Sequence, residues 1–322
     1  MISKKNKNIL KRQHYAVIGK NSAVQICRWN KKSLLNEGDC YKQKFYGIKS
    51  HRCCQMSPSA VWCQNKCLHC WRAIECTQGM KMPKNIDSPK EIIEGCIKGQ
   101  RKLLSGFGGN KKINKKKFKE AQEPNQFAIS LIGEPTLYPY IGELIETLRE
   151  EGKTSFVVTN GLNPNLLKKL AKKKQLPTQL YISLNTPNKE MYERWHDSSE
   201  KNAWKKFNQS LKIMKDVRKK TRTVIRMTLV KGLNMDKSQV EDYAILLKKA
   251  SPMFIEVKGF MSVGYARKRL GYSMMPNWKE VQDYAKKIAK ATGLKILSRH
   301  EFSRVVLLGK SKKDMKIKKK EI

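Results

Sequence analysis

The chain has 322 residues, enough to bury a full-sized core in one or two domains. Only 39% of residues are apolar, and no long apolar run suggests a membrane span. The net charge of +41, from 68 Lys and Arg against 27 Asp and Glu, exceeds what solubility needs and points to a polyanionic partner, most simply nucleic acid. A lysine-rich source organism is the plainer explanation, but it would normally raise glutamate as well.

The basic N-terminus lacks the apolar core of a signal peptide, so a cytoplasmic location is expected, where thiols stay reduced and free for metal. All nine cysteines precede residue 97, which assigns metal chemistry to the first third of the chain. Residues 1–56 are polar and without strong periodicity. Cys27, Cys40 and Cys53 are spaced thirteen apart, with Cys54 beside the last, and suggest ligands arriving from separate loops.

Next comes the densest motif, Cys63-Gln-Asn-Lys-Cys67-Leu-His-Cys70-Trp71, entered from a strand expected over 56–62. Three thiols spaced three and then two residues apart converge on one centre if the backbone curls into a loop. Thiolate selects zinc, copper(I) or iron–sulfur clusters. Structural zinc wants four ligands in two pairs, whereas a four-iron cluster on three thiolates keeps one iron open. Three thiols cannot pair off as disulfides, and disulfide frameworks belong to small secreted chains. CxxxCxxC resembles the motif of radical S-adenosyl-L-methionine enzymes, with His69 at the aromatic position before the last cysteine.

Apolar spacing predicts a helix over 89–104, capped by Ser88, followed by a Gly/Lys loop over 106–119. Strands then alternate with helices: strands over 127–132, 156–159, 180–184, 224–230 and 254–257; helices over 140–151, 164–174, 191–220, 236–250 and 278–292. Brief strands at 296–297 and 305–308 close the pattern. Such alternation means βα units around a parallel sheet. About six units, fewer than the eight of a closed barrel, predict an α/β fold: a partial (βα)6 TIM-like barrel, residues 57–308, with a cysteine-bearing N-terminal extension, 1–56. The lysine-rich tail, 309–322, reads as disordered.

Barrels place working residues at the C-terminal ends of strands. Those ends read Gly133-Glu134-Pro135, Thr159-Asn160-Gly161 and Ser183-Leu-Asn185. Gly133-Glu134-Pro135 resembles the Gly-Gly-Glu element that holds the amino group of S-adenosylmethionine through backbone and carboxylate. Ser183 and Asn185 suit its ribose or carboxylate, or simply form a strand-end turn. Glu256 and Lys258 alternate on the sixth strand and so share one face. Lys111, Lys112, Lys115, Lys116, Lys117 and Lys119 form a dense basic patch, either a solvated loop or a track for RNA phosphates.

The segments from Cys40-Tyr-Lys42 to His51-Arg52-Cys53-Cys54-Gln55-Met56-Ser57-Pro58, Val61-Trp62-Cys63, Cys70-Trp71-Arg72, Ser130 to Pro139, Thr159-Asn-Gly161 and Arg226 to Gly232 together resemble the tRNA 4-demethylwyosine synthase family, over residues 20 to 308. The resemblance implies two [4Fe-4S] clusters, one on Cys63, Cys67 and Cys70 and one on Cys27, Cys40 and Cys53. It implies that pyruvate and the N1-methylguanosine beside the tRNAPhe anticodon become a tricyclic base. A 5′-deoxyadenosyl radical would take hydrogen from the N-methyl group, and pyruvate would then supply the ring carbons. Eukaryotic relatives carry a flavodoxin-like domain, so this shorter form is expected as a monomer fed by an external donor of flavodoxin or ferredoxin type. The ketone of pyruvate makes Lys42 a candidate for imine formation or electrostatic positioning, with Lys44, Lys49 and Arg52 as nearby charges. A plain surface lysine is the alternative. Zinc-dependent RNA binding, or another radical modification of tRNA, remain the competing functions.

Overall fold

The structure, a computed structural model, describes all 322 residues. Its N-terminal part contains α1 (Lys4–Arg12), β1 (Ala16–Ile18), β2 (Ser22–Gln25), α2 (Arg28–Leu34) and α3 (Tyr41–Tyr46). Then come β3 (Cys53–Ser57), α4 (Pro89–Leu104), α5 (Lys115–Ala121), β4 (Gln126–Ile129), α6 (Ile141–Glu150), β5 (Thr154–Thr159) and α7 (Pro164–Lys172). The remainder is β6 (Gln179–Ser183), α8 (Lys189–His196), α9 (Ala203–Val217), β7 (Arg222–Leu229), α10 (Val240–Ala250), β8 (Phe254–Gly259), α11 (Trp278–Thr292), β9 (Lys295–His300) and β10 (Val305–Gly309).

One ten-stranded sheet runs β1-β2-β3-β4-β5-β6-β7-β8-β10-β9. The six central strands, β3 to β8, pair in parallel, as six βα units require. Antiparallel strands cover both edges, β1 and β2 on one side, β10 and β9 on the other. The expected partial barrel is therefore the observed one, and the sheet is not closed.

Strand alternation divides the interior in two, because successive side chains point to opposite faces. Phe127, Ile129, Val157, Leu180, Ile182, Ile225, Met227, Ile255 and Val257 face outward and join the helices in a 45-residue core. The inward set, Phe156, Tyr181, Val224 and Phe254, joins Tyr41, Phe45 and Tyr46 of α3 in a core of 12. Helix α3 thus plugs the lumen from below, and Gly47 ends it at φ 83°, a conformation that favours glycine.

Several expectations need correction. The first parallel strand is Cys53–Ser57, ahead of the expected 56–62, because pairing with β4 begins at Cys53 and pairing with β2 ends at Ser57. The Gly/Lys segment is partly helix: Asn114 caps α5, and Phe118 packs in a small cluster with Ile26, Leu34 and Leu104. The long helix expected over 191–220 breaks between α8 and α9, where Asp197 and Asn202 take positive φ. The tail is not loose. Met315 enters the lower core, Ile317 N donates to Tyr46 O at 3.0 Å, and Arg222 donates to the carbonyls of Asp314 and Met315 at 2.8 Å.

Candidate active site in the barrel lumen

The Cys63–Cys70 loop follows the top of β3 and is braced from three sides. Lys66 N and Leu68 N donate to His196 O and Trp195 O, at 2.8 and 3.0 Å, at the C-terminal end of α8. Arg269, past β8, donates to the carbonyls of Leu68, Cys70 and Arg72. Gly264 lies against the same loop with φ +56°; a Cβ there would meet Trp71 O at 2.5 Å. Burial pushes the Cys63 and Cys67 thiols up, and neighbouring Cys70 adds to both shifts. Metal coordination reverses that by removing the proton outright.

Buried Arg72 lies among the three thiols, and its Nε and Nη1 have no partner; the Asn65 amide is likewise unpartnered. Three thiols with unspent buried donors beside them fit an anionic iron–sulfur group, whose sulfurs accept such hydrogen bonds.

The expected cofactor residues lie together here, with roles that differ in part. Glu134 N donates to Trp62 O at 2.8 Å, and Ser59 Oγ donates to Glu134 O at 2.7 Å. Gly133, at φ +69°, allows this docking, since a Cβ would meet Ser59 O at 1.9 Å. The Glu134 carboxylate, however, is occupied internally. Oε1 accepts from Thr136 N and Oγ1 and from Thr159 Oγ1, and Oε2 from Asn160 N at 2.8 Å. Burial raises its pKa against those donors. Thr159 is likewise spent on this turn, Pro135 starts the short turn that follows, and Asn160 Nδ2 donates to Gln64 of the cysteine loop at 3.0 Å.

His69 accepts from Trp195 Nε1 through Nδ1 at 2.6 Å, and burial holds its pKa down at about 3. It is neutral, with its proton on Nε2. Asn185 Nδ2 lies 3.5 Å from that nitrogen, while Asn185 Oδ1 accepts from Thr228 N. Ser183 ends β6 on the lumen side, two residues after Tyr181, with no hydrogen bond from its hydroxyl. The groups left for a ligand are thus His69 Nε2, Asn185 Nδ2, the Ser183 hydroxyl and the turn backbone.

The second cysteine set lies at the opposite end. Cys53 opens β3, so roughly 13 Å of strand, at about 3.3 Å per residue, separates it from Ser57. Cys27 precedes α2 and Cys40 precedes α3. The Cys27, Cys40 and Cys53 thiols all rise through burial; Cys27 raises the other two further, Cys40 adds to Cys53, and the Lys42 charge opposes the rise in all three. Cys54 faces outward, hydrogen-bonded to Cys96 of α4.

Between the two sets stands Lys42, on α3. It is 8% exposed, which removes the surface-lysine alternative. Its Nζ lies 5.1 Å from the Phe156 ring centroid and 5.3 Å from that of Tyr181, without a hydrogen bond or ion pair. Burial first, then the Arg226 guanidinium, lowers its pKa. Lys44, Lys49 and Arg52 are not the cause. Sequence reasoning missed this assembly: Glu256 on β8 accepts from Tyr41, Tyr46 and Arg226, and Lys258 donates to Ser303 O. Its one sequence signal was charged residues alternating on an interior strand.

Residues 57–244 match the radical SAM superfamily and residues 249–310 match wyosine base formation. A tRNA 4-demethylwyosine synthase of Pyrococcus abyssi is 47% identical over 94% of this chain and 87% of its own, and that of Methanocaldococcus jannaschii 39% identical over 96% of each. The chain belongs to the tRNA 4-demethylwyosine synthase family. A solved TYW1 with a lysine–pyruvate adduct bound superposes with a TM-score of 0.86 at 38% identity, covering 99% of both chains. An archaeal TYW1 gives 0.78 at 35% identity. Membership in this radical SAM synthase family, which modifies tRNA, ends the zinc-module alternative, and the superfamily implies one four-iron cluster with S-adenosylmethionine. No helix is long and apolar enough to cross a membrane.

The six patch lysines lie on and just before α5, which packs outside the lumen against α2 and the turn ahead of Cys53. Lys111 and Lys112 are exposed before α5, and Lys115, Lys116 and Lys119 are exposed on it. Lys117 is spent inside the fold, donating to Ser33 O at 3.1 Å.

Proposed function

We propose that this synthase joins carbons of pyruvate to N1-methylguanosine next to the anticodon of tRNAPhe, with Lys42 holding pyruvate as an imine. The observation that carries the reading is the Lys42 amine, buried and unpaired in the lumen between two cysteine sets. The lysine–pyruvate adduct of the solved relative supports it. When bound at Cys63, Cys67 and Cys70, the cluster and S-adenosylmethionine supply a 5′-deoxyadenosyl radical.

This chain's own residues do the rest. The strand-end turns at Gly133–Asn160 shape the cofactor floor, and His69 Nε2–H and Asn185 Nδ2 are donors toward it. Lys42 Nζ, favoured as the free amine by burial, adds to the ketone carbon; the ketone oxygen leaves as water and a C=N bond forms. The apolar walls of Phe156 and Tyr181 exclude water from that bond. Cys27, Cys40 and Cys53 hold a second four-iron cluster next to it, Cys53 rather than Cys54 because only Cys53 faces the lumen. Fixing pyruvate in this way replaces a bimolecular encounter by an oriented one. The target base enters unstacked, as RNA bases are best reached. Electrons come from an external flavodoxin- or ferredoxin-type donor.

Borohydride treatment with labelled pyruvate tests the reading. Label on the peptide containing Lys42, absent in Lys42→Ala, is expected, with S-adenosylmethionine cleavage retained. A Lys42→Ala enzyme with full product formation would remove Lys42 from the chemistry.

A further inference from the structure

Arg226 is the cation of the lumen whose hydrogen-bonding capacity is only partly used. It stands on β7 opposite Glu256 of β8. Its Nε donates to Glu256 Oε2 at 2.9 Å, and its Nη2 to the Tyr41 hydroxyl at 3.0 Å. Nη1 has no protein partner, and 18% of the side chain stays open. Glu256 is fully engaged, since the hydroxyls of Tyr46 and Tyr41 also donate to it at 2.7 and 2.9 Å. The carboxylate therefore fixes the guanidinium without reaching Lys42.

Tyr181 brings the two cations together. Arg226 Cζ is 4.7 Å and Lys42 Nζ 5.3 Å from its ring centroid, so they are no further apart than the sum of those distances. The buried guanidinium bears on the Lys42 amine and lowers its pKa, so a substrate anion bound beside the amine has Arg226 as its charged neighbour. A 2-oxo acid has the matching shape: its ketone and its carboxylate are one bond apart. The ketone carbon goes to Lys42, and the carboxylate takes the free N–H of a guanidinium already oriented by Glu256 and Tyr41. Lys258 is the other lumen cation, but its ammonium is held at Ser303 O at 2.8 Å and over the Tyr41 ring.

We infer that Arg226 is the carboxylate-recognition residue of this site and makes it select 2-oxo acids over neutral ketones. The inference rests on the imine reading of Lys42 given above. It assigns Arg226 a role in substrate choice that a purely structural partner of Glu256 would not have.

The test is borohydride trapping on the reconstituted enzyme, without S-adenosylmethionine or tRNA, comparing pyruvate with its neutral methyl ester. Wild type traps pyruvate at much the lower concentration. In Arg226→Gln the preference for pyruvate over the ester, read as the ratio of their half-saturating concentrations, falls roughly ten- to a hundredfold, the worth of one charge-assisted hydrogen bond; the ratio cancels the change in Lys42 basicity common to both compounds. Arg226→Lys falls between. Since a lone substitution leaves Glu256 buried and unpaired, Arg226→Met combined with Glu256→Gln removes both charges together and shows the same loss of preference. A wild-type preference for pyruvate in the folded double variant overturns the inference, as does loss of that preference in Lys258→Gln with retention in the Arg226 variants. Failure of wild type to trap either compound overturns the Lys42 reading itself, and this one with it.

Discussion

Single residues carry the most specific claims. Gly133 has a positive φ and no room for a Cβ against Ser59 O. Gly133→Ala is expected to strain the turn by about 1–3 kcal/mol and to weaken S-adenosylmethionine binding, read by equilibrium dialysis beside a melting curve. Unchanged binding would mean the turn does not touch the cofactor. His196 gives a pH prediction. Burial lowers its pKa from 6.5 to about 4, with Nδ1 placed 3.0 Å from Tyr192 O. Between those values the unfolded chain binds the extra proton, so stability is complete above pH 6.5 and falls as pH drops toward 4. The loss is of order 3 kcal/mol at most. Denaturant melts at pH 7 and pH 4.5 should show it, and His196→Gln should flatten the difference.

At the scale of elements, the legible parts were those with local signals. Helix α4 was readable because Ser88, Pro89 and Glu91 spell a capping box ahead of apolar Ile92, Ile93 and Cys96. The parallel strands were readable as short apolar runs. Strands β1 and β2, three and four residues long, leave no period to detect. Helix α5 hides among lysines, with only Phe118 and Ala121 to anchor it. The rule that barrels work at strand C-termini found the upper cysteine loop but not the lower set, because Cys53 begins its strand and α3 enters from below. Arg226 and Glu256 were hidden for another reason: their partnership spans 30 residues and closes only when β7 pairs with β8. Two experiments belong here. Phe45→Ala, emptying the plug, should cost about 3–5 kcal/mol in stability, against little change for Lys42→Ala. Glutamine at Lys111, Lys112, Lys115, Lys116 and Lys119 should weaken tRNA binding and make it less steep in salt, measured by filter binding. Unchanged affinity returns these lysines to solvent.

The whole molecule is a lumen with a thiol set at each end and an amine between them. That arrangement predicts iron content. The reconstituted protein should hold about eight irons, and triple alanine variants of either set about four, one cluster each. The Cys63/Cys67/Cys70 variant should lose S-adenosylmethionine cleavage, whereas the Cys27/Cys40/Cys53 variant keeps it and makes no product. Equal iron in wild type and the second variant would leave one cluster only. The most direct measurement follows the carbons: tRNAPhe bearing N1-methylguanosine is incubated anaerobically with the reconstituted enzyme, reductant, S-adenosylmethionine and isotopically labelled pyruvate, and its nucleosides are analysed by mass spectrometry. The account predicts a tricyclic nucleoside carrying the pyruvate label, absent with Lys42→Ala. 5′-Deoxyadenosine formed alongside unlabelled, unchanged N1-methylguanosine would contradict it.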